Sequence, residues 1–100
     1  MDRDNLRTVY GHIAAHYGWG PQSRQTIEEM AELTQAINKH WRKFGDDTTD
    51  KGNPYYKNIV EEIADVEVCL EQLKALLNCK NQVEDVKIWK VERQLERIRG

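Results

Sequence analysis

The sequence predicts an all-α protein, a four-helix chain with a long antiparallel helical hairpin whose bundle is completed by oligomerisation. Apolar residues recur at spacings of three and four almost throughout. Gly and Pro interrupt that pattern in only two places, Gly18 to Pro21 and Gly45 to Pro54, with a softer break over Asn78 to Asn81. The stretches between these breaks are long enough for helices and leave no place for short strands. The 100 residues are expected to form one domain over 1–100. A lone domain of that size buries only about two-thirds of its surface, so association with further copies would add much to its stability.

Each element follows from its own pattern. Residues Asp4 to Tyr17 place Leu6, Val9, Tyr10, Ile13 and Tyr17 on one helix face. A second helix is expected from Gln22 to Lys43, with Pro21 suited to a first helical position and Ile27, Met30, Ala31, Leu33, Ile37, Trp41 and Phe44 as its apolar set. The third begins near Pro54 with Asn53 as its cap, and carries Ile59, Ile63, Val66, Leu70, Leu73 and Leu77. The fourth follows Asn81, where Asn81 to Glu84 has the form of a capping arrangement, and its stripe is Ile88, Val91, Leu95 and Ile98. The polar connection from Gly45 to Pro54 reads either as an exposed linker or as a lid over a site.

Composition removes several functional classes. Fifteen Lys and Arg against 17 Asp and Glu give a net charge of -2, which argues against a nucleic-acid partner gripped through phosphate neutralisation. No stretch reaches the roughly 18 consecutive apolar residues of a membrane span, so no membrane partner is expected. The N-terminus starts acidic without an apolar core segment, and the two cysteines, Cys69 and Cys79, make no disulfide framework. A cytoplasmic location with reduced thiols is the expectation. His12 and His16, four apart, have the spacing of a zinc pair but no glutamate between them, and read better as surface histidines. No histidine follows a glutamate by three residues, which counts against a di-iron carboxylate bundle.

Two acidic pairs carry the chemistry: Glu29 with Glu32, and Glu62 with Asp65. Residues three apart on a helix are neighbours, so each pair can close on one hard cation. Their number alone means nothing, because 17 acids in 100 residues give about three such pairs by chance. Their placement means more. Counted at about 100° per residue from Ile59, Glu62 falls near 300°, inside the apolar arc of its helix, and Asp65 falls near 240°, at its margin. Glu61, Glu67 and Glu71 point the other way. An ionised carboxylate in an apolar setting costs several kcal/mol unless a cation or strong hydrogen bonds compensate it. On the second helix Glu28, Glu29 and Glu32 cluster opposite the apolar arc, where a solvated acidic face is the plainer reading unless another helix or subunit covers that side.

Glu28-Glu-Met-Ala-Glu32 followed by Glu62-Ile-Ala-Asp65 resembles the EExxE…ExxD pattern of the MazG-like all-α nucleoside triphosphate pyrophosphatase superfamily. Trp19-Gly20 and Gln25 ahead of the first motif, and Asn58 to Val66 around the second, extend the resemblance over Gly18 to Leu77. The 29 residues between Glu32 and Glu62 lie at the long end of the family's range. The resemblance implies an Mg²⁺-dependent enzyme, with Mn²⁺ as a substitute, that hydrolyses a nucleoside triphosphate, ribo or deoxy, to a monophosphate and pyrophosphate, clearing the nucleotide pool. It implies a homodimer or homotetramer, with Glu29, Glu32, Glu62 and Asp65 as metal ligands. Glu28, or one of the ligands, would orient the attacking water.

A triphosphate needs positive charge beyond the metal. Lys39 near the end of the second helix, and Lys90, Arg93 and Arg97 along one stripe of the fourth, are candidates. Their plainer readings are a cation complementing a helix dipole and a solvated basic face. Trp19, Gln22, Gln25 and Trp41 are the candidates for holding a base, each otherwise a packing or capping residue. The competing functional class is a non-catalytic helical oligomerisation or binding module on the same scaffold, which would have little reason to keep Glu62 in its apolar arc.

Overall fold

The computed structural model describes all residues 1–100 and contains four α-helices and no strand. They are α1 (Arg3–Tyr17), α2 (Trp19–Phe44), α3 (Pro54–Leu77) and α4 (Lys80–Arg99). None is long and apolar enough to cross a membrane. Helices α2 and α3 run antiparallel: Gln22 meets Gln72 at one end, and the Phe44 and Tyr55 rings meet at the other, their centroids 6.0 Å apart. Helix α1 packs against this hairpin, mainly on α3. Helix α4 makes almost no contact with the other three and buries none of its residues.

The caps explain the boundaries. Asp2 accepts from the Asn5 amide at 2.8 Å and opens α1. Gly18, at φ 79°, closes α1 and passes directly into α2, a left-handed turn that a side chain would strain. Helix α2 therefore starts at Trp19, three residues before the expected Gln22. Pro21 sits within its first turn, where the amides have no intrahelical partner and its missing N–H is harmless. Asn53 caps α3 as expected, accepting from the Tyr56 amide at 2.8 Å. Replacing it with Ala should lower stability to urea by about 1 kcal/mol. Asn78, in the left-handed region at φ 50°, ends α3, and α4 begins at once from Cys79. Asn81 thus lies inside α4, and the expected capping arrangement does not form.

The connection between α2 and α3 is exposed but knitted to itself. Asp47 accepts from both the amide and the hydroxyl of Thr49, and Asp50 from the amide of Gly52. The two Thr49 bonds hold the Asp47 carboxyl below the usual aspartate range.

The core is small. Eight residues are buried, and four of them are polar: Gln22, Thr26, His40 and Gln72. On α2 the side packed against α3 carries Gln22, Thr26, Glu29, Leu33, Ala36 and His40, whereas Ile27, Met30, Ile37 and Trp41 face outward. The apolar stripe expected to be the core face of α2 is therefore open. Of the three acids on α2, the hairpin partly covers Glu29 and leaves Glu28 and Glu32 exposed. The radius of gyration is 16.4 Å, against about 13 Å for a compact chain of this length.

Candidate metal centre

Helices α2 and α3 are held in register around the centre by interior polar and small residues. The Thr26 hydroxyl donates to the Gln22 carbonyl at 2.8 Å, so it is satisfied without leaving the interface. Ala36, Val66 and Cys69 are buried there too, and small side chains let the two helices come close. At this interface Glu29, Glu32 and Glu62 converge, offering carboxylate oxygens within 4.8 Å of one another. Two come from α2 and one from α3, so the cluster exists only because the hairpin closes.

The centre has orphaned ligand atoms. Oε2 of Glu29 and Oε2 of Glu62 are buried without a hydrogen-bond partner. Glu29 uses its other oxygen to accept from Gln25 Nε2 at 2.7 Å. Glu32 is exposed, which leaves the cluster open to solvent on one side. Burial pushes the Glu62 carboxyl above the ordinary glutamate value of 4.5, and the charges of Glu32, Asp65 and Glu29 push it further. Glu29 is raised likewise by burial and by the charges of Glu32 and Asp65, with the Gln25 hydrogen bond opposing. Asp65 is close enough to act on both through its charge but lies outside the tight triad. Beneath the cluster, burial and the Glu29 charge raise the Cys69 thiol, against the Thr26 hydroxyl. This holds the thiol in its unreactive protonated form.

These shifts have a sign that a melting experiment can read. Both glutamates bind a proton more tightly in the folded chain than in the unfolded one. Their contribution to stability is complete below an ordinary glutamate value of 4.5 and is lost as pH rises through their raised folded values. The metal-free protein should therefore lose melting temperature as pH climbs from 4.5 toward neutral. Millimolar Mg²⁺ should restore it at neutral pH and have little effect at pH 4.5, where protons hold the sites.

The remaining candidates scatter. Glu28 is exposed and outside the triad. Trp19 is exposed at the start of α2. Gln25 is in place beside Glu29, and it also lines a cleft with Gln22. Lys39 shares a shallow depression with Arg42, Lys43 and Tyr55 near the far end of the hairpin. Lys90, Arg93 and Arg97 lie together on α4, where the Arg93 guanidinium stands 4.7 Å from the centroid of the Trp89 ring. No ion pair joins these cations to the acids within one chain. His12 and His16 are exposed, and both cysteines are free.

One residue escaped the sequence reading. Gln72 is buried against Gln22, their amides 2.7 Å apart. Its signal was present: it continues the α3 line through Asp65 and Cys69 at helical spacing, a polar residue on a packed face. No protein-family model, curated protein or solved structure matches this chain.

Proposed function

We propose that the chain is a divalent-metal-dependent nucleotide pyrophosphohydrolase that splits a ribo- or deoxyribonucleoside triphosphate into a monophosphate and pyrophosphate, working as a homo-oligomer. The observation carrying this reading is the pair of orphaned oxygens, Glu29 Oε2 and Glu62 Oε2, within a three-carboxylate cluster drawn from two helices. Two half-buried carboxylates and an exposed one this close repel one another, and a hard cation with oxygen ligands is what such a set accommodates. Glu29, Glu32 and Glu62 would hold Mg²⁺ or Mn²⁺, with Asp65 completing the set at its margin. Bound there, the ion would supply positive charge to phosphate oxygens and acidify a water molecule.

The chain's own groups do the rest. Gln25 restrains Glu29 by donating to Oε1, which leaves the buried Oε2 as its free ligand atom. Glu32, on the exposed side, lines the approach by which a triphosphate reaches the centre. Within one chain no cation stands ready to balance that triphosphate, so Lys90, Arg93 and Arg97 are assigned to a neighbouring copy.

Surface area supports assembly. The chain exposes 7999 Å², whereas a folded monomer of 11.8 kDa exposes about 5,900 Å². The excess exceeds the roughly 800 Å² per partner of one standard interface, as a homodimer with a large interface or a homotetramer would require. The open apolar residues of α2 and α4 fit the same conclusion, and they also favour the second reading, a non-catalytic oligomerisation module on this scaffold. Pyrophosphate release measured across ribo- and deoxyribonucleotides with Mg²⁺ or Mn²⁺ separates the two. Metal-dependent release upholds the enzyme, and its absence, with no stabilisation by millimolar Mg²⁺, leaves the module.

A further inference from the structure

Gln25 faces two ways. Its amide donates to Glu29, and its side chain also lines a separate cleft of about 420 Å³ with Ile13, Tyr17, Pro21, Gln22 and Gln72. That volume is within the range of small-molecule sites, about 300–1,000 Å³. Besides Gln25, the polar lining of the cleft is the amide pair: Gln22 is 4 % exposed and Gln72 is 7 % exposed.

Gln22 Nε2 donates to Gln72 Oε1 at 2.7 Å, and neither side chain makes another protein hydrogen bond. A primary amide offers two donor hydrogens and a carbonyl acceptor. The mutual bond therefore leaves Gln22 Oε1 and Gln72 Nε2 unclaimed, an acceptor beside a donor. Turning both amides over gives the same outcome, one free donor and one free acceptor. Neither free atom is sealed from solvent, so both are available to a ligand edge that carries the complementary pair. Around it stand Ile13 and Pro21, which are apolar, and the ring of Tyr17, which is 57 % exposed. A flat ring system with donor and acceptor side by side on one edge has that shape and chemistry. Gln22 and Glu29 are separated along α2 by two turns, about 11 Å, with Gln25 between them.

We propose that this cleft seats the heterocyclic base of the nucleotide, the Gln22–Gln72 pair reading its hydrogen-bonding edge and Tyr17 flanking its face. The proposal rests on the acid cluster being the site of the triphosphate, and it assigns base discrimination to residues that touch no phosphate or metal.

The test compares kcat/KM for four deoxynucleoside triphosphates in the wild type, in the double variant Gln22→Leu/Gln72→Leu and in Tyr17→Ala. Inorganic tripolyphosphate with Mg²⁺ serves as a competitive inhibitor that has no base. The wild type should prefer one base, and the double variant should flatten that preference about 10- to 100-fold. The inhibition constant of tripolyphosphate should not change. Replacing both amides leaves no unpaired partner, and a circular dichroism melt checks that the double variant folds. Should it not fold, Tyr17→Ala carries the test: its KM for the preferred nucleotide should rise about tenfold, again with tripolyphosphate inhibition unchanged. Equal rates on all four bases in the wild type, or a preference that survives in the folded double variant, overturn the base cleft and leave the metal centre standing. If the wild type releases no pyrophosphate at all, the metal-centre reading fails separately. The cleft is then judged by calorimetric titration of the free deoxynucleosides: binding that the double variant loses upholds it, and no binding overturns it.

Discussion

Replacing Glu62 with Gln should lower Mg²⁺-dependent pyrophosphate release about 1,000-fold, and it should raise the melting temperature of the metal-free protein at neutral pH. Gln keeps the shape of the side chain, so the α2–α3 contact survives. What disappears is one anionic ligand and, with it, the cost of burying its charge and its repulsion with Glu32, Asp65 and Glu29, which together hold this carboxyl above its ordinary value. A loss of several kcal/mol of metal and phosphate binding corresponds to about three decades in rate. The paired readouts matter. A substitution that merely damaged the fold would lower both, whereas removing a strained ligand lowers turnover and relieves the metal-free chain. Undiminished turnover in this variant would refute the metal centre.

The second large effect concerns the open stripe of α2. If the chain works as the proposed homo-oligomer, changing Ile37 and Trp41 to Lys should leave only monomers in analytical ultracentrifugation and shift the urea midpoint down sharply. These residues are 49 % and 58 % exposed in the isolated chain, and Ile27 and Met30 continue the same line at spacings of three and four. Covering one such side chain is worth about 1.5–3 kcal/mol. The total stability of a domain this size is only about 5–15 kcal/mol. With eight buried residues, the single chain has little to fall back on. Gln35→Lys, on an exposed turn of the same helix away from the stripe, should leave both mass and midpoint unchanged. Wild-type mass and midpoint in the double lysine variant would count against assembly through α2.

On α3 the inward placement of Glu62 was legible in the sequence, whereas Asp65, expected beside it as a ligand, is exposed and outside the triad. The wheel places Glu62 between Cys69 and Leu73, and there its Oε2 is buried in the α2–α3 contact. On α2 the same reasoning chose the wrong face. Ile27, Met30, Ile37 and Trp41 form the stronger apolar stripe, yet α3 packs on the side of Thr26, Glu29, Ala36 and His40. A wheel ranks faces by hydrophobicity and has no means of telling contact within a chain from contact between chains. The boundary errors are of the same local kind. Gly18 switches the chain from α1 to α2 within a single residue, and Asn78 does nearly the same before α4, so the loops allowed for at both places are shorter than expected.

Periodicity and punctuation were sufficient for the number, order and type of the helices, because those depend on backbone preferences and apolar spacing within a dozen residues. The spacing of the acids was equally local. Whether Glu29 and Glu32 meet Glu62, and whether Gln22 finds Gln72 across 50 positions, depended on how the hairpin closed. That is a matter of three-dimensional packing between surfaces distant along the chain, where small and polar side chains let two helices approach while larger apolar ones were left facing out.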